Sequence, residues 1–140
     1  MPTEQRAWTP LVFTAHSIPV TMAAAAPYVD DFTALARAVA ERLDHPRWSL
    51  AYQSRSGRPE DAWLEPDVNA VLASLAGDGE GHAVVVPAGF VCDHVEVLYD
   101  LDVEAAETAR AGRLHLHRAA TVGDHPAFIA GLADMVGKTP

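Results

Sequence analysis

His16 directly follows the apolar run Leu11-Val12-Phe13-Thr14-Ala15 and precedes the turn Ser17-Ile18-Pro19. An imidazole at the end of a strand-like run either caps a backbone group or faces a ligand, and position alone leaves both readings open. Glu96, Asp100 and Glu104 are spaced four apart, so on an α-helix they stack along one face. Like charges at that spacing repel by about a few tenths of a kcal/mol per pair when exposed. Such a stripe is either a solvated acidic face, which the helix macrodipole favours near the start, or one wall of a cleft. In a cleft, Glu96 lies nearest the strand ends, with Asp100 and Glu104 leading away. A file of hard oxygen ligands suits passage of protons or of a divalent cation, because it holds the cation weakly enough to release it.

The other candidates carry less. His115 and His117 are two apart on a strand-like segment, which places both on one side as a weak surface metal pair or as solvated residues. His94 projects away from the face that bears Glu96, and His45 and His82 fall in loops where solvation is expected. Cys92 precedes a helix whose dipole could lower its pKa, but a partly buried, inert thiol explains it as well. Trp63, in a loop, is either a local packing plug or a flat face on which an aromatic ligand stacks. Ser54 and the Gly89-Phe90 loop end strand-like segments, as His16 does.

The elements that must position these residues follow from periodicity. Strands are predicted at 11–15, 48–53, 83–87 and 114–119. Between them, apolar spacing predicts a helix over 28–43 (Phe32, Leu35, Ala36, Val39, Leu43) and a second with Pro66 as an early residue and Val68, Val71, Leu72 and Leu75 on one face. A long helix over 93–111, closed by Gly112, and a last one over 126–136 complete the pattern. Alternation of strand and helix implies an α/β fold, a four-stranded parallel sheet with helices on both faces. Ligands in such folds sit at the carboxyl ends of the strands, where His16, Ser54 and the 89–90 loop fall. One domain is expected over 11–140, preceded by an N-terminal extension, 1–10.

Composition removes several classes. The formal charge of −9 argues against nucleic acid, which needs basic surface. No apolar run reaches the length of a membrane span, and Met1 to Arg6 is polar with no secretory h-region after it; a soluble, cytoplasmic protein is expected. One cysteine, Cys92, excludes a disulfide framework or a cysteine cage built by this chain. No GxGxxG or Walker pattern occurs.

Taken in order, the segments Leu11 to Pro19, Ala51 to Gly57, Trp63 to Val68, Pro87 to Asp102, Arg118 to Thr121 and His125 to Phe128 resemble the C-terminal half of ferrochelatases. The likeness spans about Leu11 to Val136. Ser17 after the histidine and the run Asp93-His94-Val95-Glu96-Val97-Leu98-Tyr99-Asp100 look most like the actinobacterial, Gram-positive branch, which inserts iron into coproporphyrin III. The resemblance implies a Rossmann-like, chelatase-type domain. It implies that His16 ligates the metal and accepts pyrrole protons, that Glu96 is its acidic partner, and that Asp100 and Glu104 continue a metal or proton path. Ser54 and Trp63 would line the porphyrin cleft. The substrates would be a porphyrin and ferrous iron, with no organic cofactor required; one cysteine cannot hold the iron–sulfur cluster of some relatives.

Family members carry two such domains, and only the second is represented here, with the N-terminal one absent. Three accounts follow: a fragment of a longer protein, a half that pairs with a separate N-terminal half, or a homodimer. The alternative function is a non-catalytic porphyrin- or metal-binding half-domain or fragment needing a partner domain.

Overall fold

The computed structural model describes residues 6–58 and 60–138. Half of the expected N-terminal extension, residues 1–5, lies outside the described residues, as do Pro59 and the last two positions. Four strands, β1 (Leu11–His16), β2 (Trp48–Gln53), β3 (His82–Val86) and β4 (His115–Arg118), form one parallel sheet of order β2-β1-β3-β4. The helices are α1 (Val20–Ala23), α2 (Tyr28–Arg42), α3 (Val68–Gly77), α4 (Val95–Val97), α5 (Ala106–Ala111) and α6 (Pro126–Gly137), with a π-helical segment, Leu98–Ala105, joining α4 to α5.

Side chains alternate across β1. Leu11, Phe13 and Ala15 face α2, where they pack with Phe32, Ala36, Ala40 and Tyr52. Val12 faces the other way, into a second core with Ala51, Ala83, Val85, Val68 and Leu72 of α3, and the stripe Val97, Leu101, Ala105 and Ala109. Helices thus cover both faces, which is why the strands read as nearly continuous apolar runs. Helix α6 differs: none of its residues is fully buried, and Ile129 and Leu132 stay exposed. Among the described residues, no helix is long and apolar enough to cross a membrane.

Two expectations need correction. The helix over 93–111 begins at Val95 and is not a uniform α-helix, because its middle widens into the π segment. Pro66 is not helical. Its carbonyl accepts the Tyr52 N–H at 2.8 Å, tying it to β2. Asp67 then caps α3 by accepting from the Asn69 N–H at 2.8 Å, so the helix starts at Val68.

Candidate metal-handling site

The strand order runs outward from β1 in both directions, so the carboxyl ends of β1 and β3 flank the crevice where such sheets bind ligands. His16 ends β1 there. By alternation Thr14 and His16 lie on the same face as Val12, and Gln53, at the end of β2 in register with His16, lies on the same face as Ala51. That is the face covered by α4, the π segment and α5, so His16 shares a side of the sheet with Glu96 and Asp100.

The His16 ring is oriented by its own backbone. Its Nδ1 lies 2.5 Å from the Ser17 carbonyl oxygen. A carbonyl only accepts, so Nδ1 carries a proton, which in the neutral ring leaves the lone pair on Nε2. The loop after it is held on three sides. The Ser17 hydroxyl donates to the Leu64 carbonyl at 2.9 Å, the Ser17 N–H to the Gln53 carbonyl at 2.7 Å, and the Tyr28 hydroxyl to the His16 carbonyl at 2.8 Å. Burial, followed by the neighbouring Tyr52, raises the Tyr28 pKa, so the phenol stays a donor. The β3–α4 loop closes over the same strand end. The Gly89 N–H bonds the Thr14 carbonyl at 2.9 Å, and a Cβ on Gly89 would sit 2.5 Å from the Ala15 Cβ. Only glycine permits that approach.

The acidic stripe survives the π segment. Four residues slightly overshoot an α turn and fall slightly short of the wider π turn, so residues four apart stay near one line. Asp100 accepts from Gln53 Nε2 at 3.3 Å and from the Ser54 hydroxyl, and four residues beyond Glu104 the Thr108 hydroxyl donates to Asn69 Oδ1 at 3.0 Å. The line Glu96, Asp100, Glu104, Thr108 therefore faces the seam between this helix and the β2–α3 side, with Glu96 and Glu104 exposed. Ser54 holds a left-handed backbone conformation, φ 62°. Among the described residues, Thr14 Oγ1, Gln53 Oε1 and Trp63 Nε1 are buried without a hydrogen-bond partner.

Trp63 is half-buried. Its loop pairs with the one after His16 through an antiparallel bridge to Pro19 and the Leu64 N–H to Ile18 carbonyl bond at 3.0 Å. The edge of its indole fills the space a Cβ on Gly57 would occupy, 2.0 Å from Cζ2. Trp63 thus stands beside the His16 loop, while Ser54 is drawn to Asp100. Among the described residues, no three His, Cys, Asp or Glu side chains already converge on a point that could hold a metal ion.

Several sequence expectations fail locally. His94 does not project away from Glu96: its Nδ1 is 3.9 Å from Glu96 Oε2, because residues before Val95 are not helical and the ring folds back. Cys92 is exposed rather than partly buried. His82 is a strand residue paired with His117, whereas His45 does lie in a loop, its ring bonded to the Arg6 carbonyl and the Arg47 N–H. Gln53, Tyr28 and Arg118 were not foreseen. Arg118 binds Asp102 through Nε at 2.9 Å and Nη2 at 2.8 Å, and Asp93 through Nη1 at 2.9 Å. The bond from Arg118 holds the Asp102 carboxyl below the usual range, and Asp102 in turn raises the guanidinium pKa. The signal for Gln53 was its place as the last alternating residue of β2. Arg118 had no signal short of three dimensions.

A single parallel sheet with an imidazole at the rim and an acidic helix over the same face defines the class as an α/β domain of chelatase type. The solved structure of a putative cobalamin biosynthesis CbiX protein from Marinobacter aquaeolei shares the fold, with a TM-score of 0.67 at 18% identity over 93% of this chain and 95% of that one. The ferrochelatase family model matches residues 2–139, and the chain belongs to that family. It is 48% identical over 90% of its length to a coproporphyrin III ferrochelatase of Propionibacterium freudenreichii, covering 38% of that protein. To a ferrochelatase of Herpetosiphon aurantiacus it is 40% identical over 96% of its length, covering 44%. The chain thus spans about two fifths of the length of the relatives it matches.

Proposed function

We propose that this domain inserts ferrous iron into a porphyrin, coproporphyrin III, as a cytoplasmic step of heme formation. What carries the reading is the side-chain placement: His16, its Nδ1 tied to the Ser17 carbonyl, and the acidic line headed by Glu96 share one side of the sheet at its carboxyl rim. Insertion of a divalent ion must remove two pyrrole N–H protons as the cation arrives. In this reading the His16 Nε2 lone pair meets the macrocycle from the β1 end and takes a pyrrole proton, while Glu96 supplies oxygen ligands and receives protons from the other side. Asp100 and Glu104 carry cations or protons along the seam. Ser54 and Trp63 border the porphyrin, with the indole as stacking surface. Iron is substrate here, and no organic cofactor and no iron–sulfur cluster are needed, a single cysteine being too few ligands for a cluster.

The relatives' greater length favours a second cleft wall, supplied by a further domain of a longer protein, by a separate N-terminal half or by a second copy. The test is anaerobic metallation of coproporphyrin III by the purified chain, against His16→Ala and Glu96→Ala. The expected result is a loss of about 10²-fold or more in each variant. Porphyrin binding with insertion at the uncatalysed rate in wild type would instead establish the non-catalytic half-domain reading.

A further inference from the structure

One group of ligand-type side chains lies outside the site described above. His82 opens β3, while His115 and His117 stand two apart on β4, and register sets His82 beside His115 and Val84 beside His117. Ala83, Val85, Leu114 and Leu116 face the core under α3 and α5. The three imidazoles therefore share the opposite face, at the edge of the sheet. His82 Nδ1 and His117 Nε2 are 3.2 Å apart, with ring centroids separated by 5.4 Å, and the His82 and His115 centroids are 5.0 Å apart. As it stands, one ring N–H donates to the other ring's lone pair.

Two imidazole nitrogens bound to one ion at about 2.0–2.1 Å each, at angles between square and tetrahedral, lie about 2.9–3.4 Å apart. The His82 and His117 nitrogens already have that separation, and a third imidazole stacks beside them. We propose that His82, His115 and His117 form a binding site for a late first-row divalent cation such as zinc, cobalt or nickel, separate from the His16 and Glu96 site. Imidazole nitrogen suits these ions. The ion replaces the proton between His82 and His117, both rings turn to aim their lone pairs at it, and exposed His115 swings in as the third ligand. Val84 is level with Leu11, so His82 lies seven residue steps from His16 along the strands. At 3.3 Å per residue that is about 23 Å, too far for one ion to use both sites.

The test is titration of the full chain with Co²⁺, followed by its visible d–d absorption and by chelator competition. It uses wild type, the double variant His16→Ala/Glu96→Gln, His82→Gln and His117→Gln. The expected result is one Co²⁺ site kept at wild-type affinity in the double variant, and the affinity of that site reduced at least about tenfold in His82→Gln and His117→Gln. Circular dichroism without metal checks that each variant folds, and if one does not, the other decides. The proposal is overturned if no Co²⁺ binds at micromolar concentration, if binding is lost in the double variant, or if a folded His82→Gln or His117→Gln keeps wild-type affinity.

Discussion

Replacing Gly89 by alanine tests whether the β3–α4 loop is seated on the end of β1 as tightly as the geometry states. The added methyl would lie 2.5 Å from the Ala15 Cβ and 2.7 Å from its Cα, against an ordinary contact near 3.5–4.0 Å. Neither atom can swing aside: Ala15 is a central-strand residue, paired on one side with Tyr52 and buried among the residues packed on α2. The loop must therefore lift by about an ångström, stretching the Gly89 N–H to Thr14 carbonyl bond of 2.9 Å. Overpacking of this kind costs about 1–3 kcal/mol, equivalent to roughly 3–10 °C in Tm for a domain of this size. Gly131→Ala is the matched control. Gly131 is inside α6, where an added Cβ meets nothing within 4 Å, so helix propensity alone should stabilise it by about 0.5–1 kcal/mol. Urea unfolding of wild type and both variants gives the comparison. If Gly89→Ala changed stability by no more than Gly131→Ala, the close seating of the loop would be refuted.

Other outcomes follow from single contacts. Leu101→Ala removes a fully buried side chain from the core under the π segment and should destabilise by about 2–5 kcal/mol in the same assay. Asp100→Ala leaves Gln53, itself buried, with no side-chain partner among the described residues; a loss of about 1–3 kcal/mol in urea unfolding is expected. Arg118→Ala should cost about 1 kcal/mol near pH 7, the Asp102 side chain being partly exposed. The Asp102 pKa is lowered on folding, so its share of that stability is full above the unfolded carboxylate pKa, about 3.9, and is lost as pH falls through the lower folded value. Unfolding measured from pH 3 to pH 7 should therefore show the two proteins converging at the acid end, and a constant difference would contradict the pairing.

Most of the architecture was legible because it rests on local pattern. Buried parallel strands announce themselves as apolar runs, and of the expected helix face Phe32 and Ala36 are buried with Val39 packed beside them, while Leu35 and Leu43 are exposed. His16 was placed correctly at the rim because a strand ends where its apolar run ends. What was not legible depends on partners distant in sequence. The π segment leaves no local sign, since Val97, Leu101, Ala105 and Ala109 are spaced four apart and read as an ordinary helix. His82 passed for a loop residue because the strand begins with it, and only the β4 register brings His117 against it. Pro66 looked helical because proline suits a first turn, yet the demand of Tyr52 for an acceptor held it outside.

The π segment and its flanks together explain how the acidic line is aimed. Leu101 is buried against the sheet, and its two near neighbours leave the helix on opposite sides: Asp100 toward β2, where Gln53 and Ser54 hold it, and Asp102 toward β4, where Arg118 holds it. Rotating the helix about its axis by even a fraction of a turn would break one flank while burying a carboxylate on the other, and an unpaired buried charge is heavily penalised. Arg118 also binds Asp93, ahead of the helix start, so the approach into α4 is tied to the same strand end. One flank is thus set by Asp100 and Ser54, which the proposed chemistry also uses, and the other flank and the entry by Asp102, Asp93 and Arg118, which it does not. Glu96 is directed chiefly by its place one turn before Asp100 on a helix that cannot turn. Its own contact, to His94 Nδ1 at 3.9 Å, is long and solvent-exposed, so the carboxylate stays open to exchange ligands, as a residue passing protons or a cation to the rim requires.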